Sequence, residues 1–235
     1  MDSDLDIILH ITDSEIRIKN KVNGGDINKV ISPQALIELL EFSKVKDPLR
    51  RIGRRPIGFI DGSIGEKPGH LKAIILVREG IYEVQYYKDK FQIPYPNMLF
   101  FFNVENNIIQ NTKVLSVKNK DLKKTQVNSI KDYNVKDNAE LFLYPFGNVS
   151  QYGSGVCWGK NHLPNIDYTH QLSGLPHLFI KSPMNDDNYK GVNNSNLTLR
   201  ELLVKLNGRK RFDYKVLKPI VSTYKAYSDR FLSDM

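Results

Sequence analysis

The stretch from Met98 to Val104 is apolar save for Asn103. A run this short, with no polar alternation, reads as a strand buried on both faces, and therefore as the centre of a sheet. Its neighbours read as strands too. Leu71 to Val77 and Ile81 to Tyr87 are joined through Glu79 and Gly80, and Glu105, Asn106 and Asn107 turn the apolar run into Ile108 to Val117. Together these predict four consecutive strands of an antiparallel meander. Phe91 to Pro96, with prolines at 94 and 96, reads as a rigid extended approach to the central strand.

The flanks are less regular. Leu5 to Ile11 and Glu15 to Lys19 predict a hairpin with its turn at Thr12, Asp13 and Ser14. Ser32 and Pro33 read as the cap and first residue of a helix with Leu36, Leu39 and Leu40 on its apolar face, ended by Asp47 and Pro48. Residues 50–70 hold five Gly, two Pro and four Arg, which reads as a long loop or a boundary. Residues 1–70 are therefore expected to be an N-terminal hairpin-helix extension with a loop, and residues 71–235 an α+β domain. In the latter, Lys118 to Asp137 is polar and Lys-rich and reads as a loop or insertion, and Glu140 to Tyr144 as a short apolar strand. Tyr168 to Ile180 is helical or irregular, Asn185 to Asn196 a loop, and Leu197 to Leu206 a capped amphipathic helix stopped by Gly208. A last helix is expected after Pro219.

Composition excludes several classes. No run of about 18 apolar residues is present, so no membrane-spanning helix is expected. The start, Met1-Asp2-Ser3-Asp4, is acidic, unlike a secretory signal. A single cysteine forms no internal disulfide and no Cys/His cluster has zinc-finger spacing, so a free thiol in a reducing cytoplasm is expected, with no metal and no organic cofactor. The formal charge of +8 allows nucleic acid or an acidic protein as partner. The basic runs (Arg50 to Arg55, Lys118 to Lys124, Arg209 to Arg211) are scattered and two fall in expected loops, so they read as solvated surface rather than a nucleic-acid interface.

That single cysteine, Cys157, follows Asn148 by nine residues across a glycine-bearing loop, in the order Tyr144, Pro145, Phe146, Gly147, Asn148, Val149, then Gly153, Gly155, Val156, Cys157, Trp158, Gly159. A nucleophilic thiol needs access, a route to thiolate and a donor for the oxyanion. Glycines keep the approach open, and Asn148 offers an amide donor. The alternative is that Cys157 is a small buried hydrophobe.

This segment resembles the ubiquitin-conjugating enzymes, in which a His-Pro-Asn tripeptide precedes the active-site cysteine by a similar spacing. More specifically, Tyr144, Pro145, Asn148, Val149, Gly155, Val156, Cys157, Gly159 and Pro164 resemble the signature of the prokaryotic relatives known as PRTRC system protein B, or conjugating-enzyme family D. The resemblance runs from about Tyr95 to Gly208 and departs from the eukaryotic pattern in one respect. The family's His is missing, Tyr144 or Phe146 stands nearby, and Gly147 directly precedes the Asn.

The resemblance implies that Cys157 carries a ubiquitin-like modifier as a thioester and passes it to a target amine, with Asn148 donating to the tetrahedral oxyanion. It implies as partners a ubiquitin-like modifier protein and an adenylating, ThiF-type activating enzyme, with bacterial immunity against phage as the setting. Lys160, His162 and His170 are candidates for charge or proton acceptance near Cys157, each with an ordinary surface reading beside it. Asp167 is a candidate to orient the attacking lysine, and Trp158 reads as a packing residue. Three alternatives stay open: an inactive adaptor of the same fold, a basic nucleic-acid-binding accessory protein, and a cysteine protease, for which no His falls in a recognisable pattern.

Overall fold

The computed structural model describes residues 7–12, 16–22, 25–32, 57–127, 130–150 and 154–233. The chain divides into two compact units, Met1–Arg51 and Ile52–Met235. In the first, β1 (Ile7–Ile11), β2 (Ile16–Val22) and β3 (Gly25–Ile31) form an antiparallel sheet in that order. The hairpin read from the sequence is present, and a third strand extends it. The helix expected after Ser32 lies outside the described residues.

The second unit opens with β4 (Phe59–Ile64), β5 (Leu71–Val77), β6 (Gly80–Tyr86), β7 (Asp89–Tyr95), β8 (Asn97–Glu105) and β9 (Ile108–Val117). A 3-10 turn, Asn119–Asp121, leads into β10 (Leu122–Val127) and β11 (Ile130–Val135), followed by β12 (Glu140–Leu143). A 3-10 segment, Thr169–Gly174, runs into α1 (Leu175–Lys181), and α2 spans Leu199–Leu206. β13 (Pro219–Thr223) and α3 (Tyr224–Ser233) complete it. Six strands form one antiparallel sheet in the order β13-β12-β9-β8-β5-β4. The α+β class read from the sequence is what the chain adopts.

β8 sits inside this sheet, and its alternate side chains feed two cores. Met98, Phe100, Phe102 and Val104 meet Leu175 and Phe179 of α1, Leu199, Leu202, Leu203 and Leu206 of α2, and Val84 and Ile93 of the β6–β7 ribbon. Leu99 and Phe101 face the other way, into a smaller core with Val135 and with Tyr224, Tyr227 and Phe231 of α3. Phe100, Phe101 and Phe102 are each 0 % exposed. Burial of each such ring contributes about 1.5–3 kcal/mol.

Four details differ from the sequence expectations. β5 pairs with β8 rather than β6, and β6 and β7 form a separate two-stranded ribbon. β5 is apolar at nearly every position and fits an interior strand, whereas β6 alternates and fits a half-buried ribbon. Lys118 to Asp137 is not a loop: β10 and β11 pair across it in register from Leu122–Val135 to Val127–Ile130. Phe59–Ile64, inside the glycine-rich stretch, is an edge strand on β5. The helix expected after Pro219 is present but begins only at Tyr224: Pro219 first opens an edge strand on β12, a position where a missing N–H costs nothing.

The capped helix is as read. The Thr198 hydroxyl accepts from the Glu201 N–H at 3.3 Å, and the Glu201 carboxylate accepts from the Thr198 N–H at 2.8 Å, which closes a capping box. Gly208 (φ 72°) follows the helix in the left-handed region.

Candidate active site

β9 offers its outer edge to two partners in succession. Leu115, Ser116 and Val117 pair with β12, and Thr112 to Val114 pair with Ser154 to Val156 of the cysteine segment. The Val156 N–H donates to the Thr112 carbonyl at 2.7 Å, and the Val114 N–H to the Ser154 carbonyl at 2.9 Å. Ser150 N–H in turn donates to the Gly155 carbonyl at 2.8 Å, and Val149 faces Val156 across an antiparallel bridge. The segment is thus fastened as an extra sheet edge. Gly153 lies outside the described residues.

Cys157 emerges from this edge exposed to solvent. Its N–H donates to the Asn148 carbonyl at 2.8 Å, so the two residues read from the sequence as the site are backbone partners. Asn148 is 9 % exposed and has φ 64°, a region that Asn tolerates better than most side chains. Its side-chain amide donates to the Pro183 carbonyl at 2.9 Å, and its side-chain oxygen accepts from the Asn185 N–H at 3.3 Å.

The turn leading to Asn148 is packed from behind. Tyr144 and Phe146, near the position of the family's histidine, are 1 % and 0 % exposed. The Phe146 ring lies 4.7 Å from that of Tyr95 and 6.2 Å from that of Phe212. The Tyr144 hydroxyl donates to that of Tyr95 at 3.3 Å, and burial pushes both phenols above their usual range. Gly147 is required by space rather than by dihedral: a Cβ there would stand 2.5 Å from the Asn185 carbonyl oxygen. Asn193 donates to the Pro145 carbonyl at 2.8 Å.

Beyond the cysteine, Trp158 is half-buried with its ring 6.0 Å from Phe179 of α1, and its indole N–H is buried without a partner among the described residues. A turn at Gly159 (φ 58°) brings the Asn161 N–H to the Trp158 carbonyl at 3.1 Å. The Asn161 side-chain amide donates to the same carbonyl at 2.9 Å and to the Ser182 hydroxyl at 2.7 Å. Ser182 passes the link on to the Leu178 carbonyl at 2.8 Å.

Lys160, His162, Asp167 and His170 are all exposed. Asp167 accepts from the Asn107 side chain at 3.3 Å, and His170 stacks on Tyr168 with centroids 5.7 Å apart. Among the described residues none of the four is hydrogen-bonded or ion-paired to Cys157. Phe100, Phe101 and Phe102 are core as expected and Tyr86 is buried too, whereas Tyr87 (φ 50°) is 60 % exposed. No cluster of three or more His, Cys, Asp or Glu suited to a metal ion occurs among the described residues, and no helix there is long and apolar enough to cross a membrane.

Asn161, Ser182, Pro183, Asn185 and Asn193 were not singled out from the sequence. Only the Gly159-Lys160-Asn161 turn carried a local signal; the rest stand in segments whose composition announces a loop and nothing more.

Comparison with known proteins gives one result of weight. The family described as prokaryotic E2 family D matches residues 67–220, about two thirds of the chain, including the whole Asn148–Cys157 segment. No curated protein and no solved structure matches it.

Proposed function

The chain belongs to prokaryotic E2 family D, and from that premise we propose that it carries a ubiquitin-like modifier as a thioester on Cys157 and transfers it to a target amine. The observation that carries the reading is an exposed thiol on a backbone bonded directly to Asn148, inside the matched residues. The chemistry is two acyl transfers. The Cys157 thiolate attacks the modifier's C-terminal carbonyl, presented as a thioester by an ATP-driven activating enzyme of the adenylating type. The new C–S bond forms and the activating enzyme's cysteine leaves as thiolate. An acceptor amine then attacks the same carbon, a C–N bond forms, Cys157 leaves as thiolate, and the ammonium proton passes to solvent.

Asn148 serves this scheme in two ways. One amide hydrogen holds the Pro183 carbonyl and keeps the segment in place. The second hydrogen is the donor for the tetrahedral oxyanion, an interaction whose loss costs roughly 2.7–4 kcal/mol in comparable sites. The test is Cys157→Ser in the presence of modifier, activating enzyme and ATP. An oxyester that survives thiol reductant supports the scheme; equal attachment of modifier to Cys157→Ala defeats it.

One observation favours a second reading, an adaptor of the same fold. The Asn148 side chain is engaged through both its nitrogen and its oxygen by Pro183 and Asn185, as a purely structural asparagine would be. An adaptor would keep its partner affinity in Cys157→Ala.

A further inference from the structure

We infer that Asn161 is a positioning residue for the chemistry of Cys157, acting through Ser182. The inference rests on Cys157 as the thioester carrier. Asn161 touches none of the reacting atoms; it fixes the residue that follows the nucleophile. Both hydrogens of its side-chain amide are committed, one to the Trp158 carbonyl at 2.9 Å and one to the Ser182 hydroxyl at 2.7 Å. The Ser182 hydroxyl has given its own hydrogen to Leu178, in the body of α1, so it is oriented to accept. An asparagine that merely closed the Gly159 turn would need only the first of these bonds. The second ties the turn to the end of a helix whose Leu175, Phe179 and Ile180 are buried in the main core.

The result is a nucleophile held from both sides. On the N-terminal side the Cys157 N–H is bonded to Asn148, and on the C-terminal side the Trp158 carbonyl is bonded to Asn161. The two asparagines then grip adjacent residues: Asn148 holds the Pro183 carbonyl and Asn161 the Ser182 hydroxyl. That strut is itself anchored, since the Met184 N–H donates to the Gln85 carbonyl of β6 at 2.8 Å. With the peptide before Cys157 and the Trp158–Gly159 peptide after it both held, the backbone that carries the thiol is restrained on each side. Fixing a reacting group in this way matters most at the step where an external amine must meet the thioester carbon in line.

Asn161→Asp keeps the shape and replaces the donor with a carboxylate oxygen facing the Trp158 carbonyl. Ser182→Ala removes the acceptor. The full chain is loaded by the activating enzyme with modifier and chased with free lysine. Each single variant is expected to lower the limiting discharge rate constant about tenfold to a hundredfold, with the lysine concentration for half-maximal rate unchanged. The double variant is expected to discharge no more slowly than the slower single, because the two residues act as one link. Partial misfolding would lower the fraction loaded and leave the rate constant alone, so the readout survives it. Wild-type rate constants in the single variants, or a double variant slowed by the product of the two, would overturn the inference. If the wild type takes up no modifier, the thioester reading is what fails, and hydrogen exchange at the Cys157 amide decides for Asn161. Exchange about tenfold faster in both variants upholds its holding role, and unchanged exchange removes it.

Discussion

The backbone N–H of Cys157 donates to the carbonyl of Asn148 at 2.8 Å, so two residues nine positions apart in the chain lie side by side at the sheet edge. The bond is made by main-chain atoms and survives substitution of either side chain. The asparagine side chain, by contrast, also holds Pro183 and Asn185. Any substitution at 148 therefore mixes a structural loss with a chemical one.

Asn148→Gly separates the two better than Asn148→Ala. Glycine takes φ 64° without penalty, whereas alanine adds about 1–2 kcal/mol of backbone strain. Both leave the Pro183 carbonyl without its donor, a loss of about 1–3 kcal/mol. The expected outcome is that Asn148→Gly still loads modifier but discharges about 10²–10³-fold more slowly. Discharge of Asn148→Gly at the wild-type rate would end the oxyanion assignment.

Gly147→Ala tests the close approach behind the site. Its Cβ would stand 2.5 Å from the Asn185 carbonyl oxygen and 3.1 Å from a Leu199 methyl, and the oxygen belongs to backbone that cannot swing aside. Overpacking of this kind costs about 1–3 kcal/mol. At roughly 2–4 °C per kcal/mol for a chain of this size, the melting temperature is expected to fall by about 2–12 °C. A melting temperature equal to the wild type's would mean that the Asn185 loop yields freely.

Tyr86 gives a prediction in alkaline solution. Its hydroxyl donates to the Asp186 carboxylate at 2.5 Å, and this bond, with burial, pushes the phenol up to about 12. Between the ordinary value of about 10 and 12, the folded chain keeps a proton that the unfolded chain has lost. Stability from this group is thus complete below pH 10 and is lost as pH rises toward 12. Other buried tyrosines contribute in the same direction. Tyr86→Phe is expected to make the fall of melting temperature over that window shallower, and an unaltered slope would show that the bond does not form in solution.

The central strand was legible because β8 has no polar face to confuse the reading: Phe100, Phe101 and Phe102 in succession leave no choice but burial on both sides. The helix at Leu199 was legible because Thr198 and Glu201 state its beginning and Gly208 its end. β10 and β11 were not, since the exposed Lys123 and Lys124, close after Lys120, look like solvated loop, and the pairing is carried by backbone groups that any sequence possesses. The site divides along the same line. Asn148 and Cys157 announced themselves by spacing. Asn161, Ser182 and Pro183 did not, because which carbonyl or hydroxyl an asparagine reaches is set by tertiary placement and leaves no mark in local order.

The most direct test of the thioester assignment is the intact mass of the wild-type chain after incubation with modifier, activating enzyme and ATP, with and without thiol reductant. The account requires an added mass equal to the modifier less one water, lost on reduction and absent from Cys157→Ala. No added mass from an activating enzyme shown to be charged, or an adduct that persists in both reductant and Cys157→Ala, would contradict it.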